Sequence, residues 1–398
     1  MYGTLYRKYY YCNFYMLIFF IWYSTEIIFN TTLKSIVGVP IKTVSDLVNW
    51  LIFAMLMVQI IFFQSYKKRE LVMIVVITLP IVCATVLSGS KSILSAWMFI
   101  VAAKNIDLDK VVRAAYKILL FMVPMIAFLC LTGLIEDNDR YMKWNMQRFS
   151  LGFMHPNNLG LRFFQLAVCH CYIHKNKLKN SNYFFIIIAI ILTLAIPKSQ
   201  TAYIGLIVLL IVLLLYKHIQ DQKKVLNMFL ESLVVGTILF FTLSVFFMCI
   251  NVNQYWILSR IDKWMSERFS YAHTAWLIYG ISPLGQRIYI SEAERKSVGI
   301  NRLLYLDNAY ASILLRYGIL VFILFFLFYI LMMKKKIQQR EAILVIVLFL
   351  YALYGVMENG LYLITHNIFI IAFSDLLYNK EVVEKEKIGT RKERLWAL

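Results

Sequence analysis

Long apolar runs recur from one end of the chain to the other, separated by shorter polar segments. Runs of about 17 to 25 residues have the length that an α-helix needs to cross a hydrocarbon core about 30 Å thick. We count twelve such runs; the fourth and seventh are short, so eleven spans are the alternative. The runs are centred near Leu17, Ala54, Leu79, Met98, Ile126, Gln165, Ile190, Val208, Leu239, Phe322, Leu348 and Phe369. The pattern predicts an all-α polytopic membrane protein with about 12 transmembrane helices.

One polar segment is much longer than the others. Residues 251–306 form the only long hydrophilic stretch, and the sequence contains no internal repeat and no Gly, Pro or Ser-rich linker. We therefore expect a single multi-spanning membrane domain over residues 1–378, with 251–306 as a long extracellular loop. The charged residues 379–398 are expected to form a short cytoplasmic tail.

A helical stripe is visible inside this long loop. Its apolar residues recur at spacings of 4, 3, 4 and 3, as one face of an α-helix requires. The stripe consists of Met265, Phe269, Ala272, Trp276 and Tyr279. Two placements fit it equally: an amphipathic helix lying in the membrane interface, or a helix packed on the outer ends of the bundle. Either placement holds Arg268 near the level of the lipid headgroups.

Charge supports the membrane assignment and gives the topology. The chain is 61% hydrophobic and only 16% charged, which is far more apolar than a soluble domain. Its net charge of +19 comes from Lys and Arg concentrated in alternate loops: 25 of the 41 lie on one side of the predicted membrane. The positive-inside rule then places both termini in the cytoplasm. Anionic membrane lipids, rather than nucleic acid, are the expected partners of this basic charge.

Polar side chains continue into the sixth predicted span. His155, Asn158, Arg162 and Gln165 follow one another at spacings of 3, 4 and 3, so they share one helical face. Pro156 suits the first position of that helix, where its missing N–H costs nothing. Ionisable groups inside a membrane normally face the bundle interior or a watery cavity, so this stripe predicts a polar wall descending from outside.

Two further polar sets lie at the same depth. Asn308 and Arg316 share a face of the tenth span with Ser312, and Asp307 lies at its outer entrance. Glu358 marks the tight outer turn between the last two spans. We infer a polar cavity open to the outside. The alternatives stay open: His155 as a simple helix cap, the arginines as partners of carboxylates that lock helices together, and the amides as interhelical contacts.

Such a cavity suits an anionic ligand that carries phosphate. Guanidinium groups present planar forks that match phosphate oxygens, and the candidate donors are Arg162, Arg260, Arg268, Arg287, Arg302 and Arg316. Asp307, Glu358 and His155 are candidates to accept a hydroxyl proton. The six cysteines show no zinc-pair spacing. A diphosphate is already a good leaving group, so we expect neither a metal nor another cofactor.

Four segments in order resemble landmarks of a known family. These are "RFSLGFMHPNNLG", "KSQTAYIGL", "SERFSYAHTAWLIYGISPLG" and "LDNAYASILLRYGIL". Together they resemble the Wzy-type polysaccharide polymerases of the O-antigen polymerase and ligase superfamily, over roughly residues 90 to 375. The His-Pro-Asn variant is most similar to exopolysaccharide and capsule polymerases of Gram-positive bacteria.

The resemblance implies a multi-spanning, GT-C-like glycosyltransferase that needs no metal. Its substrate would be an oligosaccharide repeat unit on undecaprenyl diphosphate, polymerised on the outer face of the cell membrane, with other polysaccharide assembly proteins as further candidate partners. By this resemblance Arg268 contacts the donor diphosphate, Arg162 and Arg316 stabilise charge below it, and Asp307 is the candidate base. Where the family often has Ser-Arg, this chain has Ser199 and Gln200, preceded by Lys198.

The expected catalytic residues are therefore Asp307, Arg268 and His155. The expected substrate-binding residues are Arg162, Asn158, Arg316, Asn308, Arg260, Lys198 and Glu358. Two other functions remain alternatives. A glycan ligase or O-oligosaccharyltransferase of the same superfamily shares the fold and the donor, and a lipid-linked oligosaccharide flippase also has many spans and buried charges.

Overall fold

The computed structural model describes residues 2–378 except 37, 138–141, 144–145, 290–295, 297–298 and 300–304. Arg302 and the predicted tail 379–398 lie outside the described residues. The first half of the bundle comprises α1 (Tyr2–Phe29), α2 (Ile41–Phe62), α3 (Lys68–Ser88), α4 (Ser92–Ala102), α5 (Leu108–Leu131), α6 (Pro156–Ile173) and α7 (Asn180–Ala195). The second half comprises α8 (Gln200–Ile219), α9 (Lys223–Cys249), α10 (Trp256–Trp264), α11 (Arg268–Tyr279), α12 (Ala309–Gln338), α13 (Ala342–Met357) and α14 (Ile368–Leu377).

The helices confirm a membrane-embedded, multi-pass protein. Seven of them are long and apolar enough to cross a membrane, namely α1, α2, α3, α5, α8, α9 and α12. The helices α4, α7, α13 and α14 are apolar but shorter, and α6 has 18 residues that include the polar stripe. Each of the twelve predicted centres falls within one of these helices. The number of twelve spans stays a prediction.

Two small antiparallel strand pairs lie in the connections between helices. Strand β1 (Ser35–Ile36) pairs with β2 (Val39–Pro40), with Ser35 opposite Pro40. Strand β3 (Met142–Lys143) pairs with β4 (Met146–Gln147), with Met142 opposite Gln147. Backbone groups outside helices need such partners because an unpaired N–H or C=O away from water is costly.

The core of the bundle surrounds α6 and α13. Nearly every residue of α13 is buried, and α6 packs against α5, α7, α8 and α13. Gly160 allows the close approach of α6 to α8, since a Cβ at this position would lie 2.5 Å from the Cβ of Ser199. By contrast, α2 and α3 expose large apolar side chains such as Leu47 and Leu79, as expected of lipid-facing helices.

The end of the bundle that carries α10, α11 and the loop 280–286 is called the loop face here. Helix α11 packs there: Phe269 contacts a cluster with Met357, whereas Ala272 and Ala275 pack with Met248 near the end of α9. Met265, the first member of the predicted stripe, lies in the turn before α11. Of the two placements expected for this helix, the contacts match packing on the helix ends.

Helix α12 is broken near the loop face, which the apolar pattern does not indicate. A π-helical turn over Ile313–Tyr317 is followed by Gly318, whose φ is +83°. The loop 280–286 satisfies the freed backbone groups: Gln286 N–H donates to the Arg316 carbonyl at 3.0 Å, and Ile319 N–H donates to the Ser282 carbonyl at 3.0 Å. A side chain at Gly318 would collide with this loop, since its Cβ would lie 2.4 Å from the backbone nitrogen of Gly285.

Candidate functional site

One guanidinium bridges two carboxylates at the loop face. Nη1 of Arg268 lies 3.0 Å from Oδ2 of Asp307, and its Nη2 lies 2.9 Å from Oε1 of Glu358. The Arg268 side chain is only 8% exposed, whereas Asp307 is 47% exposed and Glu358 is 20% exposed. Arg268, Asp307 and Glu358 are called the charged cluster below. The three predicted residues come from three separate segments of the chain.

The charged cluster depends on an unusual turn between α10 and α11. Ser266 and Glu267 both have positive φ, near 62° and 61°, which non-glycine residues rarely adopt. The buried Asp262 of α10 stabilises the next turn, because its carboxylate accepts from the backbone N–H groups of Phe269 and Ser270 at 2.8 and 3.1 Å. Arg268 is thereby held as the first residue of α11.

Asn157 at the start of α6 contacts the charged cluster and links it to Arg148. Asn157 donates from Nδ2 to Oε1 of Glu358 at 2.7 Å, and its Oδ1 accepts from Nη2 of Arg148 at 2.5 Å. Arg148 also donates to the Pro197 carbonyl at 2.9 Å. Neither Asn157 nor Arg148 was among the predicted site residues. Asn157 lies off the helical stripe and Arg148 lies in a loop, although both belong to the segment "RFSLGFMHPNNLG".

His155 caps α6 and lies beside the charged cluster. Its Nδ1 accepts from the backbone N–H of Asn157 at 3.0 Å, so the neutral imidazole carries its proton on Nε2. Burial and the neighbouring Arg148 lower the pKa of His155 to about 4, while Asp307 opposes this shift. The side chain is therefore neutral above about pH 5. The capping role that the sequence left open is present in the structure.

The lowered pKa of His155 predicts a specific pH dependence of stability. Between pH 6.5 and 4 the unfolded chain binds a proton on this histidine that the folded chain does not bind, so folded-state stability is lost as pH falls. His155→Asn removes the titration and keeps a side-chain oxygen for the cap. On going from pH 7 to pH 5, we expect the wild type to lose up to about 2 kcal/mol more than the variant. The measurement is thermal unfolding of both proteins at pH 7 and at pH 5. An equal loss of stability in the wild type and the variant would contradict this prediction.

The rest of the α6 stripe lies deeper and is closed off. Asn158 donates to Oδ1 of Asn30 at 2.5 Å. Arg162 is 1% exposed; it donates to Gln165 at 2.7 Å and to the Thr365 carbonyl at 3.3 Å. Its Nε and Nη2 have no hydrogen-bond acceptor among the described residues. Asn158, Arg162 and Gln165 therefore share one face, and that face contacts the end of α1 and the turn before α14 rather than the charged cluster.

The remaining predicted residues have other surroundings. Asn308 is buried and caps α12 by accepting from two backbone N–H groups at 3.0 Å. Arg316 lies in the π-helical turn, and its backbone carbonyl contacts the loop 280–286. Arg260 is exposed and stacks over the Trp256 ring at 4.4 Å. Lys198 follows Pro197, so it lies in the same turn that accepts the hydrogen bond from Arg148. Within the described part of the chain, none of these four side chains forms a hydrogen bond or an ion pair with the charged cluster.

The charged cluster holds its two carboxylates in different ways. Both carboxylates raise the pKa of Arg268, which therefore remains cationic. Burial and the nearby Asp307 raise the pKa of Glu358, although Arg268 and Asn157 oppose that shift. The Arg268 contact with Asp307 falls outside hydrogen-bond geometry, and Asp307 is half exposed. An incoming anion can thus displace Asp307 from Arg268 more easily than it can displace Glu358.

Chemically, the charged cluster offers a cationic fork for an anionic ligand and an exposed carboxylate as proton acceptor.

We compared the chain with known proteins at three levels. No protein-family model, no curated protein and no solved structure matches it.

Proposed function

We propose that this protein is a membrane glycosyltransferase that polymerises oligosaccharide repeat units carried on undecaprenyl diphosphate, on the outer face of a bacterial cell membrane. The observation that carries the proposal is the convergence of the four resembling segments at one place. Asn157 of the first contacts Glu358, which pairs with Arg268 of the third, and Arg268 pairs with Asp307 of the fourth. Gly160 of the first packs on Ser199 of the second.

The charged cluster suggests roles for its members in this reaction. Arg268 binds the diphosphate of the donor, and the phosphate oxygens take the place of Asp307 on the guanidinium. The released Asp307 carboxylate accepts the proton of the acceptor hydroxyl, whose oxygen attacks the anomeric carbon of the donor sugar. The bond from that carbon to the phosphate oxygen breaks, and the diphosphate leaves with the electron pair. Glu358 and Asn157 keep Arg268 in position.

The test is elongation by the purified protein. In liposomes supplied with undecaprenyl-diphosphate-linked repeat units and no other protein, we expect a ladder of longer glycans on gels. Unchanged substrate would contradict the proposal. Transfer of the glycan only to a different, non-repeat acceptor would support the ligase alternative. Movement of the intact lipid across the bilayer without elongation would support a flippase.

A further inference from the structure

A cavity opens near the loop face, and no member of the charged cluster lines it. It has a volume of about 500 Å³ and lies between α1, α2, α4 and residues 363–366. This volume lies within the range of about 300 to 1,000 Å³ that small-molecule sites occupy. Its polar part includes Glu26, Asp46, Asn49, Ser95 and His366, and its aromatic part includes Trp50. Toward the bundle centre the lining becomes apolar, with Ile52, Leu56 and Met98.

The polar groups of this cavity favour a hydroxyl-rich ligand. Glu26 and Asp46 supply carboxylate acceptors, and Asn49, which lies beside Glu26, supplies an amide that both donates and accepts. The one lysine in the lining, Lys91, lies 4.5 Å over the Trp50 ring. Sugar hydroxyls can bond to all these groups, because the carboxylates and the amide oxygen accept hydrogen bonds while the amide and the lysine donate them.

The aromatic lining fits the same ligand. Trp22 and Trp50 both line the cavity; Trp22 is buried, whereas Trp50 is 59% exposed, with Lys91 over its ring. An indole combines a broad apolar surface with a polar edge, so it can cover the C–H face of a sugar ring while the hydroxyls bond to the carboxylates and the amide. The apolar end of the cavity is left for a less polar portion of the ligand.

The two adjacent asparagines of α6 join the charged cluster to the end of α1, the helix that contributes Glu26 to the cavity lining. Asn157 contacts Glu358 of the charged cluster, and Asn158 contacts Asn30. Asn30 follows Glu26 by four residues at the end of α1, so the two lie one helical turn apart. Hydrogen bonds of Asn157 and Asn158 thus link the charged cluster to the end of the helix whose residues Trp22 and Glu26 line the cavity.

We propose that this cavity binds uncharged sugar residues of the acceptor glycan. The proposal rests on the proposed function, because it divides the two substrates between two places. Arg268 of the charged cluster takes the donor diphosphate, and the carboxylate-lined cavity takes sugar of the acceptor. The end of the acceptor glycan then extends from the cavity toward Asp307.

Site-specific photocrosslinking tests the cavity directly. The probe is p-benzoylphenylalanine at position 53, where Phe53 lines the cavity, in cells that assemble the polymer. The matched control carries the same probe at position 47 of the same helix, where Leu47 is 65% exposed. After irradiation and purification, mass spectrometry of the adducts should show hexose or hexosamine fragments at position 53 and phospholipid at position 47. Phospholipid alone at position 53, or no adduct there, would overturn the proposal.

Substitutions in the cavity test whether its polar groups bind the sugar, provided that each variant folds normally. Asn49→Leu and Asp46→Leu should each lower the sugar adduct at position 53 about fivefold or more, because each removes hydrogen bonds to the ligand. Leu47→Ala should leave the adduct unchanged. Each variant must keep the wild-type thermal midpoint. An undiminished sugar adduct in both cavity variants would exclude these groups as its binding site.

Comparison with Arg268→Ala separates the two proposals. If both are correct, this variant makes no polymer but still gives the sugar adduct at position 53. If the purified wild type makes no ladder and the sugar adduct persists, the polymerase proposal fails while the cavity still binds sugar. A ladder without any sugar adduct overturns the cavity proposal alone.

Discussion

Replacement of Arg268 by alanine is expected to lower the rate of glycan elongation about a hundredfold to a thousandfold, as the loss of a preorganised charge contact does in other enzymes. Arg268 is the cation that joins Asp307 and Glu358, and it is only 8% exposed. Without it the two carboxylates repel each other and no guanidinium fork remains for the diphosphate. The measurement is the initial rate of ladder formation in liposomes.

The matched control for Arg268 is Arg260. It belongs to the same loop region, but it is exposed and stacks on Trp256. Arg260→Ala should keep the wild-type rate within a few fold, since exposed contacts of this kind contribute little. Arg268→Lys should recover only part of the activity, because a lysine cannot bond to two carboxylates with one planar fork. Elongation by Arg268→Ala at the Arg260→Ala rate would exclude Arg268 from the site.

The second large effect is expected at Asp307. Asp307→Asn keeps the shape of the side chain but removes the proton acceptor, so kcat should fall about a hundredfold or more while KM for the lipid-linked substrate changes little. Glu358→Gln retains an oxygen that can accept from Arg268, so its loss of activity should be about tenfold or less. Steady-state rates at several substrate concentrations give both constants.

The two carboxylates also differ in their expected effect on stability. Glu358 accepts hydrogen bonds from Arg268 and Asn157, and it is less exposed than Asp307. Glu358→Gln removes a charge partner of a buried guanidinium, so it should lower the thermal midpoint more than Asp307→Asn does. Activity distinguishes the two carboxylates as well. If Glu358→Gln were inactive and Asp307→Asn active in the elongation assay, the base would be Glu358.

The structure suggests why the segment "MHPNNLG" carries so many polar residues. His155 caps α6, Asn157 contacts Glu358, and Asn158 contacts Asn30. Gly160 leaves room for Ser199. Asn157, Asn158 and Gly160 thus join α6 to three different neighbours. A helix that meets three partners within two turns needs short, directional side chains, because long apolar ones would only fill space.

The sequence alone was enough to predict the membrane class of the protein and the positions of its helices. The reason is local: in hydrocarbon each helix satisfies its own backbone hydrogen bonds, so the length of an apolar run largely determines where a helix can form. The shared face of Asn158, Arg162 and Gln165 followed in the same way from the helical repeat. Arg268 and Asp307 were candidates by residue type and by their positions outside the predicted spans, and the resemblance to a family supplied their proposed roles.

Only the tertiary structure determined which side chains meet. Arg268 and Glu358 are 90 residues apart, and Asn157 is 201 residues from Glu358, so no local spacing relates them. The break in α12 depends on hydrogen bonds from the loop 280–286. The burial of Arg162 depends on the chain around Thr365. Such contacts arise from the packing of distant segments, whereas the periodicity of one helix reports only which side of that helix is polar.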